Sequence, residues 1–163
     1  MKIKLKNKKL YFLDYKIKCA IGKSGISAYK REGDGCTPKG IFKFKCIFYR
    51  KDKISKIKTK LKKIVIKKNM GWCDDPKSKF YNKLIKFPFK FRAEKLFLSK
   101  NIYDLVLVIN YNMNPIVKNK GSAIFLHIAT KSFSPTKGCL AISKQNLKIL
   151  LKKINAKTKI FIL

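Results

Sequence analysis

The sequence predicts a mainly β fold, a sandwich or barrel-like sheet of short strands with one or two short helices. Three observations carry this. Short runs rich in Ile, Val, Phe and Tyr recur along the chain. Turn chemistry separates them, as in Gly22-Lys-Ser-Gly25, Gly33-Asp-Gly35, Asn69-Met-Gly71, Asn112-Met-Asn-Pro115 and Lys118-Asn-Lys-Gly121. Near the C-terminus a single segment has a clear helical period. Many short strands punctuated in this way suit a closed or stacked sheet.

The elements follow in order. Met1 to Leu10 alternates lysine with apolar residues, the period of a half-buried strand. Further strands are expected over Leu10–Leu13, Ile17–Ile21, Gly40–Tyr49, Ile64–Ile66, Leu105–Tyr111, Ala123–Ile128 and Lys159–Leu163. Between Lys43 and Lys68 the pattern fits two periods, and strand or irregular structure is the preferred reading. Ser143 is a suitable N-cap. Leu147, Leu150, Leu151 and Ile154 then fall at i, i+3, i+4, i+7, which predicts a helix near 143–154. A second short helix is expected around Ala93–Leu98. No repeat or linker divides the chain, so residues 1–163 are read as one domain.

Charge is the outlier of the composition. Forty-one Lys and Arg against eight acids give +33. Such a field attracts polyanions. However, nearly all the cations are Lys, and only Arg31, Arg50 and Arg92 are Arg. Arginine is the residue that reads bases and phosphates bidentately. Compositional bias therefore outweighs a selected nucleic-acid surface, and no specific nucleic acid is expected. No apolar run reaches the ~18–20 residues that cross a bilayer. The N-terminus also lacks the continuous apolar segment of a secretory signal.

Five cysteines, at 19, 36, 46, 73 and 139, form no CxxC pair, and there is one histidine. Metal-ligand spacing is absent, and no metal or cofactor is expected. Cys19 and Cys46 read as small buried hydrophobes. A thiol becomes a useful nucleophile when a partner removes its proton, and histidine is the commonest such partner near neutral pH. If the chain is a cysteine enzyme using histidine, the pair is His127 and Cys139. Taken alone, each has a plain reading, His127 as a hydrogen-bonded core residue and Cys139 as a structural cysteine in a turn.

Five segments occur in order: Gly33-Asp-Gly-Cys-Thr-Pro-Lys-Gly-Ile-Phe42, then Gly71-Trp-Cys-Asp-Asp-Pro76 with Tyr81-Asn82, then Tyr103 to Asn112. Gly121-Ser-Ala-Ile-Phe-Leu-His127 and Pro135-Thr-Lys-Gly-Cys-Leu-Ala141 complete the set. Together they resemble the YkuD-type L,D-transpeptidase catalytic domain, in a branch without the second His of the Ser-His-Gly-Cys signature. The resemblance implies a YkuD-like β-sandwich or barrel and a cysteine acyl-enzyme acting on peptidoglycan stem peptides. It makes Cys139 the nucleophile, His127 its base, and the backbone N–H groups of Gly138 and Cys139 the oxyanion donors. Lys137 stands where the larger family has a second His, and Ala141 where many members have Arg or Asn. On charge alone, Lys137 is the candidate for binding a stem carboxylate. The resemblance also implies a cell-envelope or periplasmic setting, while the absence of a signal segment leaves the cytoplasm open. Water in place of an acceptor amine would make the same site an L,D-carboxypeptidase. A basic binding module on the same fold, and a thiol redox protein using Cys36 or Cys73 as resolving cysteine, are the other readings.

Overall fold

A computed structural model describes residues 1–163. Three short strands open the chain: β1 (Lys2–Lys6), β2 (Lys9–Phe12) and β3 (Tyr15–Lys18). Their apolar residues Ile3, Leu5, Leu10, Phe12 and Ile17 are buried and the intervening lysines are exposed. The period-2 alternation is therefore realised as an inside and an outside. A two-residue pair, β4 (Ile26–Ser27) and β5 (Thr37–Pro38), precedes the long β6 (Gly40–Tyr49). Next come β7 (Lys63–Val65), β8 (Met70–Cys73), β9 (Leu84–Lys86) and β10 (Ala93–Lys95). A 3-10 turn at Asn101–Tyr103 leads into β11 (Leu105–Ile109) and β12 (Phe125–Ile128). The chain ends with β13 (Leu140–Ile142), α1 (Lys144–Lys153) and β14 (Lys159–Ile162).

Nine strands form one sheet in the order β13-β12-β11-β6-β14-β1-β2-β3, with β7 added on β6. Its two ends meet. Ala20, just past β3, exchanges two backbone hydrogen bonds of 2.8 and 2.9 Å with Ala141 of β13. The Thr136 N–H donates to the Ile21 carbonyl at 2.9 Å beside them. The sheet thus nearly closes on itself, which removes most of its unpaired edge.

Two cores lie on the two sides of this sheet. The larger gathers the inward residues of β1, β2, β6, β11, β12, β13 and β14 with Leu147, Leu150, Leu151 and Ile154 of the helical segment. The smaller lies on the outer side of β6, β11 and β12, under the three-stranded sheet β10-β8-β9, and includes Phe48, Trp72, Tyr103, Val106, Val108 and Phe125. A register shift where β6 meets β11 lets Phe44 and Ile47 face the first core while Cys46 faces the second.

The C-terminal helix forms as expected, with the Ser143 side chain accepting the Asn146 N–H at 3.2 Å. The helix expected at Ala93–Leu98 does not form. Residues 93–95 are β10, paired with β8 through Glu94↔Trp72, and Leu96 is fully buried in the smaller core. The pull of Trp72 and Leu96 into that core outweighs weak local helix propensity. Residues 43–68 are strand and irregular chain.

Candidate active site

His127 and Cys139 come from neighbouring strands. β12 and β13 run parallel, with Leu126↔Leu140 and His127↔Ala141 as register partners. Leu126 and Leu140 both enter the larger core. By the alternation of a strand, Phe125, His127, Cys139 and Ala141 project to the opposite face, that of the smaller core. The Phe125 N–H lies 3.4 Å from the Cys139 sulfur, which puts the two residues level. Cys139 and His127 are therefore diagonal neighbours on one face of adjacent parallel strands, two positions apart in register.

The thiol is held at rest. It donates to the Ala123 carbonyl at 3.2 Å, and Cys139 is half-buried. Burial, reinforced by the nearby Glu94 carboxylate, pushes its pKa up to about 12, against the pull of the Phe125 N–H and the Lys30 ammonium. His127 is buried, and burial lowers its pKa. Its Nδ1 lies 3.0 Å from the Ile128 carbonyl, which can only accept. Nδ1 therefore carries the hydrogen, and Nε2 keeps the lone pair of a base. The resting pair is a neutral thiol and a neutral imidazole. Tyr103 packs its ring edge-on to His127, with centroids 5.3 Å apart, and its hydroxyl donates to Glu94 at 2.7 Å. Burial raises the pKa of Glu94, opposed by the Tyr103 bond.

The turn that carries Cys139 is clamped from both sides. The Gly138 carbonyl accepts the Thr37 hydroxyl at 2.8 Å, and Thr37 Oγ1 accepts the Gly22 N–H at 2.9 Å. Thr136 Oγ1 accepts the Gly138 N–H at 3.1 Å and donates to the Cys139 carbonyl at 2.6 Å. Of the two amides expected to face an oxyanion, Gly138 is thus engaged with Thr136 in this state. The Cys139 N–H has no intramolecular partner. Gly138 sits at φ +137°, and a Cβ there would lie 2.7 Å from the Cys36 carbonyl oxygen. The segment from Gly33 to Phe42 is the wall against which the cysteine turn is built.

Lys30 reaches this wall from below. Its side chain is buried, and its ammonium binds Asp34 Oδ1 at 2.7 Å and the Arg31 carbonyl at 3.2 Å. Burial pulls the Asp34 carboxyl up, but Lys30 and the N–H groups of Arg31 and Cys36 outweigh it and hold it below its ordinary value. The ammonium lies 3.5 Å from where a Gly138 Cβ would be. Lys137 is exposed, and its charge is felt at Glu94.

Asn82 organises the far side. Its Oδ1 accepts the Trp72 indole N–H and the Ala123 N–H, each at 3.0 Å, while its Nδ2 donates to the Tyr111 and Asn112 carbonyls at 3.2 and 2.6 Å. It thereby fixes Ala123, whose carbonyl receives the thiol hydrogen. The acidic pair Asp74 and Asp75 lies in the same segment and binds no lysine side chain. Asp74 binds Arg92 at 3.1 Å, and Asp75 accepts the Lys77 N–H at 3.0 Å in an Asx-type turn.

All five cysteines are free. The Cys36 sulfur contacts the Ser24 carbonyl at 3.6 Å, and that of Cys73 the Asp75 carbonyl at 4.0 Å. No group of three or more His, Cys, Asp or Glu side chains comes together in a form that could hold a metal ion. A cavity of about 350 Å³ is walled by Phe48, Trp72, Asn82 and Met113, and neither Cys139 nor His127 lines it. No helix is long and apolar enough to cross a membrane.

The family profile of the L,D-transpeptidase catalytic domain, YkuD, matches residues 2–162. The chain belongs to the YkuD family. The match covers essentially the whole barrel, so the resemblance of the five segments extends over the fold that joins them. No curated protein matches the chain. Sequence reasoning singled out Cys139 and His127 and did not place Glu94, Tyr103, Lys30, Thr37 and Asn82 beside them. Expecting a helix at 93–98 hid the strand position of Glu94. Lys30 carries no mark that separates it from the other lysines.

Proposed function

We propose that this YkuD-family chain is an L,D-transpeptidase that remodels peptidoglycan stem peptides through an acyl-enzyme on Cys139. The observation that carries the reading is the parallel register of β12 and β13, which sets the thiol and the imidazole on one face of adjacent strands. His127 Nε2 takes the thiol proton as sulfur attacks the carbonyl of the amide that follows the diamino acid at stem position 3. The carbonyl becomes a tetrahedral oxyanion, met by the Cys139 N–H. Collapse breaks the C–N bond, and the imidazolium returns its proton to the departing D-residue amine. A thioester remains. An amine from a neighbouring stem attacks it, gives up its proton to His127, and leaves a new amide and the free thiol.

A neutral resting pair suits this course. Burial keeps the sulfur protonated until substrate arrives, so the thiolate forms in the step that consumes it. Lys137, exposed at the rim, is assigned to the carboxylate of the incoming stem. The site of action is the cell envelope, where the substrate polymer lies. Incubation with purified muropeptides, followed by mass analysis, tests the reading. Cross-linked products or exchange of the terminal D-residue are expected from the parent, and none from Cys139→Ala. Simple trimming would assign the carboxypeptidase reaction instead. Inertness of folded protein would remove the enzymatic reading.

A further inference from the structure

The nine-stranded sheet has its outer side covered on one half only. β8, β9 and β10 roof β6, β11 and β12, while the outer side of β14, β1, β2 and β3 is bare. On this bare face the register places lysine against lysine. Lys43, Lys159 and Lys2 are direct partners across β6, β14 and β1. Two rows away, Lys6, Lys9 and Lys18 are partners across β1, β2 and β3. Between them runs a mixed row of Ile41, Phe161, Lys4, Tyr11 and Lys16. Ile41 is 60% exposed, and Phe161 and Tyr11 are half-exposed.

Eight of these eleven outward positions are Lys and none is acidic, a density well above that of the chain as a whole. None of the eight takes part in any of the four ion pairs of the protein. Like charges directly opposed across strands destabilise a sheet. Compositional drift toward lysine does not choose cross-strand partners, nor does it set Ile41, Phe161 and Tyr11 in a mixed row between two rows of lysine. Strands about 4.8 Å apart with same-face residues about 6.8 Å apart spread these charges over a broad face rather than a groove.

We propose that this lysine face docks the protein on an anionic lipid bilayer. Charge complementarity is the argument for the occupant. Ammonium groups at headgroup level draw in anionic lipid, and Ile41, Phe161 and Tyr11 between them enter the interface. A polynucleotide is the less suited partner, because the face holds no arginine and no groove. Lys18 also stacks its ammonium 4.7 Å above the Phe133 ring, in the loop that leads to Cys139, so the docked face borders the candidate site.

The test is co-sedimentation with vesicles of equal parts phosphatidylcholine and phosphatidylglycerol. The parent protein and Cys139→Ala bind alike, lose affinity as salt rises, and ignore vesicles of phosphatidylcholine alone. A lysine near such a surface contributes a factor of about five in affinity. The variant Lys4→Gln, Lys9→Gln, Lys16→Gln, Lys159→Gln should therefore bind several hundredfold more weakly. An equal-charge control at the exposed Lys67, Lys68, Lys152 and Lys153 should lose less than about tenfold. Lysine acetylation of the parent, mapped by mass spectrometry, needs no variant: vesicles should protect Lys4, Lys9 and Lys16 and leave Lys67 and Lys152 reactive. Equal losses in the two variants, uniform protection, or tighter binding to oligothymidylate than to anionic vesicles would overturn the proposal. Vesicle binding does not depend on turnover, so a failure here leaves the peptidoglycan reading untouched.

Discussion

Replacing Gly138 by alanine probes the wall behind Cys139. The residue sits at φ +137°, and its new Cβ would lie 2.7 Å from the Cys36 carbonyl oxygen. That is well inside ordinary contact, and the obstacle is backbone that cannot swing away. Backbone strain in a left-handed region costs about 1–2 kcal/mol for a non-glycine residue. Relief of the overlap adds about 1–3 kcal/mol. Gly25 supplies the comparison, with φ +84° and nothing within 4 Å of an added Cβ. Gly25→Ala should show the strain alone. At about 2–4 °C per kcal/mol for a chain of this size, Gly138→Ala should melt roughly 4–20 °C below the parent. Its deficit should exceed that of Gly25→Ala by about 2–12 °C. Calorimetry gives both values, and turnover of Gly138→Ala should be lost because the turn holding Cys139 must shift. Equal melting temperatures for the two variants would refute the claim that the Gly33–Phe42 loop is a rigid support for this turn.

Opposite charges flank the thiol, and they should act with opposite sign. Glu94→Gln removes a charge that raises the Cys139 pKa, so the pH midpoint of iodoacetamide alkylation should fall; Lys30→Met should move it up. Shifts in the same direction would contradict the assignment. His127 binds fewer protons folded than unfolded between its lowered native pKa and about 6.5, so stability should decline as pH falls through that window. In His127→Gln, urea denaturation across the same range should show a flatter dependence.

Much of the fold was legible because β periodicity has a direct physical cause. Lys2–Lys6 alternates because one side meets the core and the other meets water. The terminal helix was readable from its Ser143 cap and leucine spacing. The Ala93–Lys95 strand was not readable, since its conformation depends on pairing with Trp72, a partner found only in three dimensions. The candidate site divides along the same line. A single histidine and a Gly-Cys turn name the pair, but the register that sets them on one face is a tertiary fact. Glu94 and Lys30 act through space on Cys139, from segments more than forty residues away in the chain, and no local pattern announces them.

Intact-protein mass spectrometry after exposure to a carbapenem or a stem tetrapeptide tests the chemistry most directly. One covalent adduct is expected, mapped to Cys139, absent from Cys139→Ala and formed at least a hundredfold more slowly in His127→Ala. Folded parent protein that stays unmodified, or a Cys139→Ala variant that is labelled equally, would contradict that chemistry.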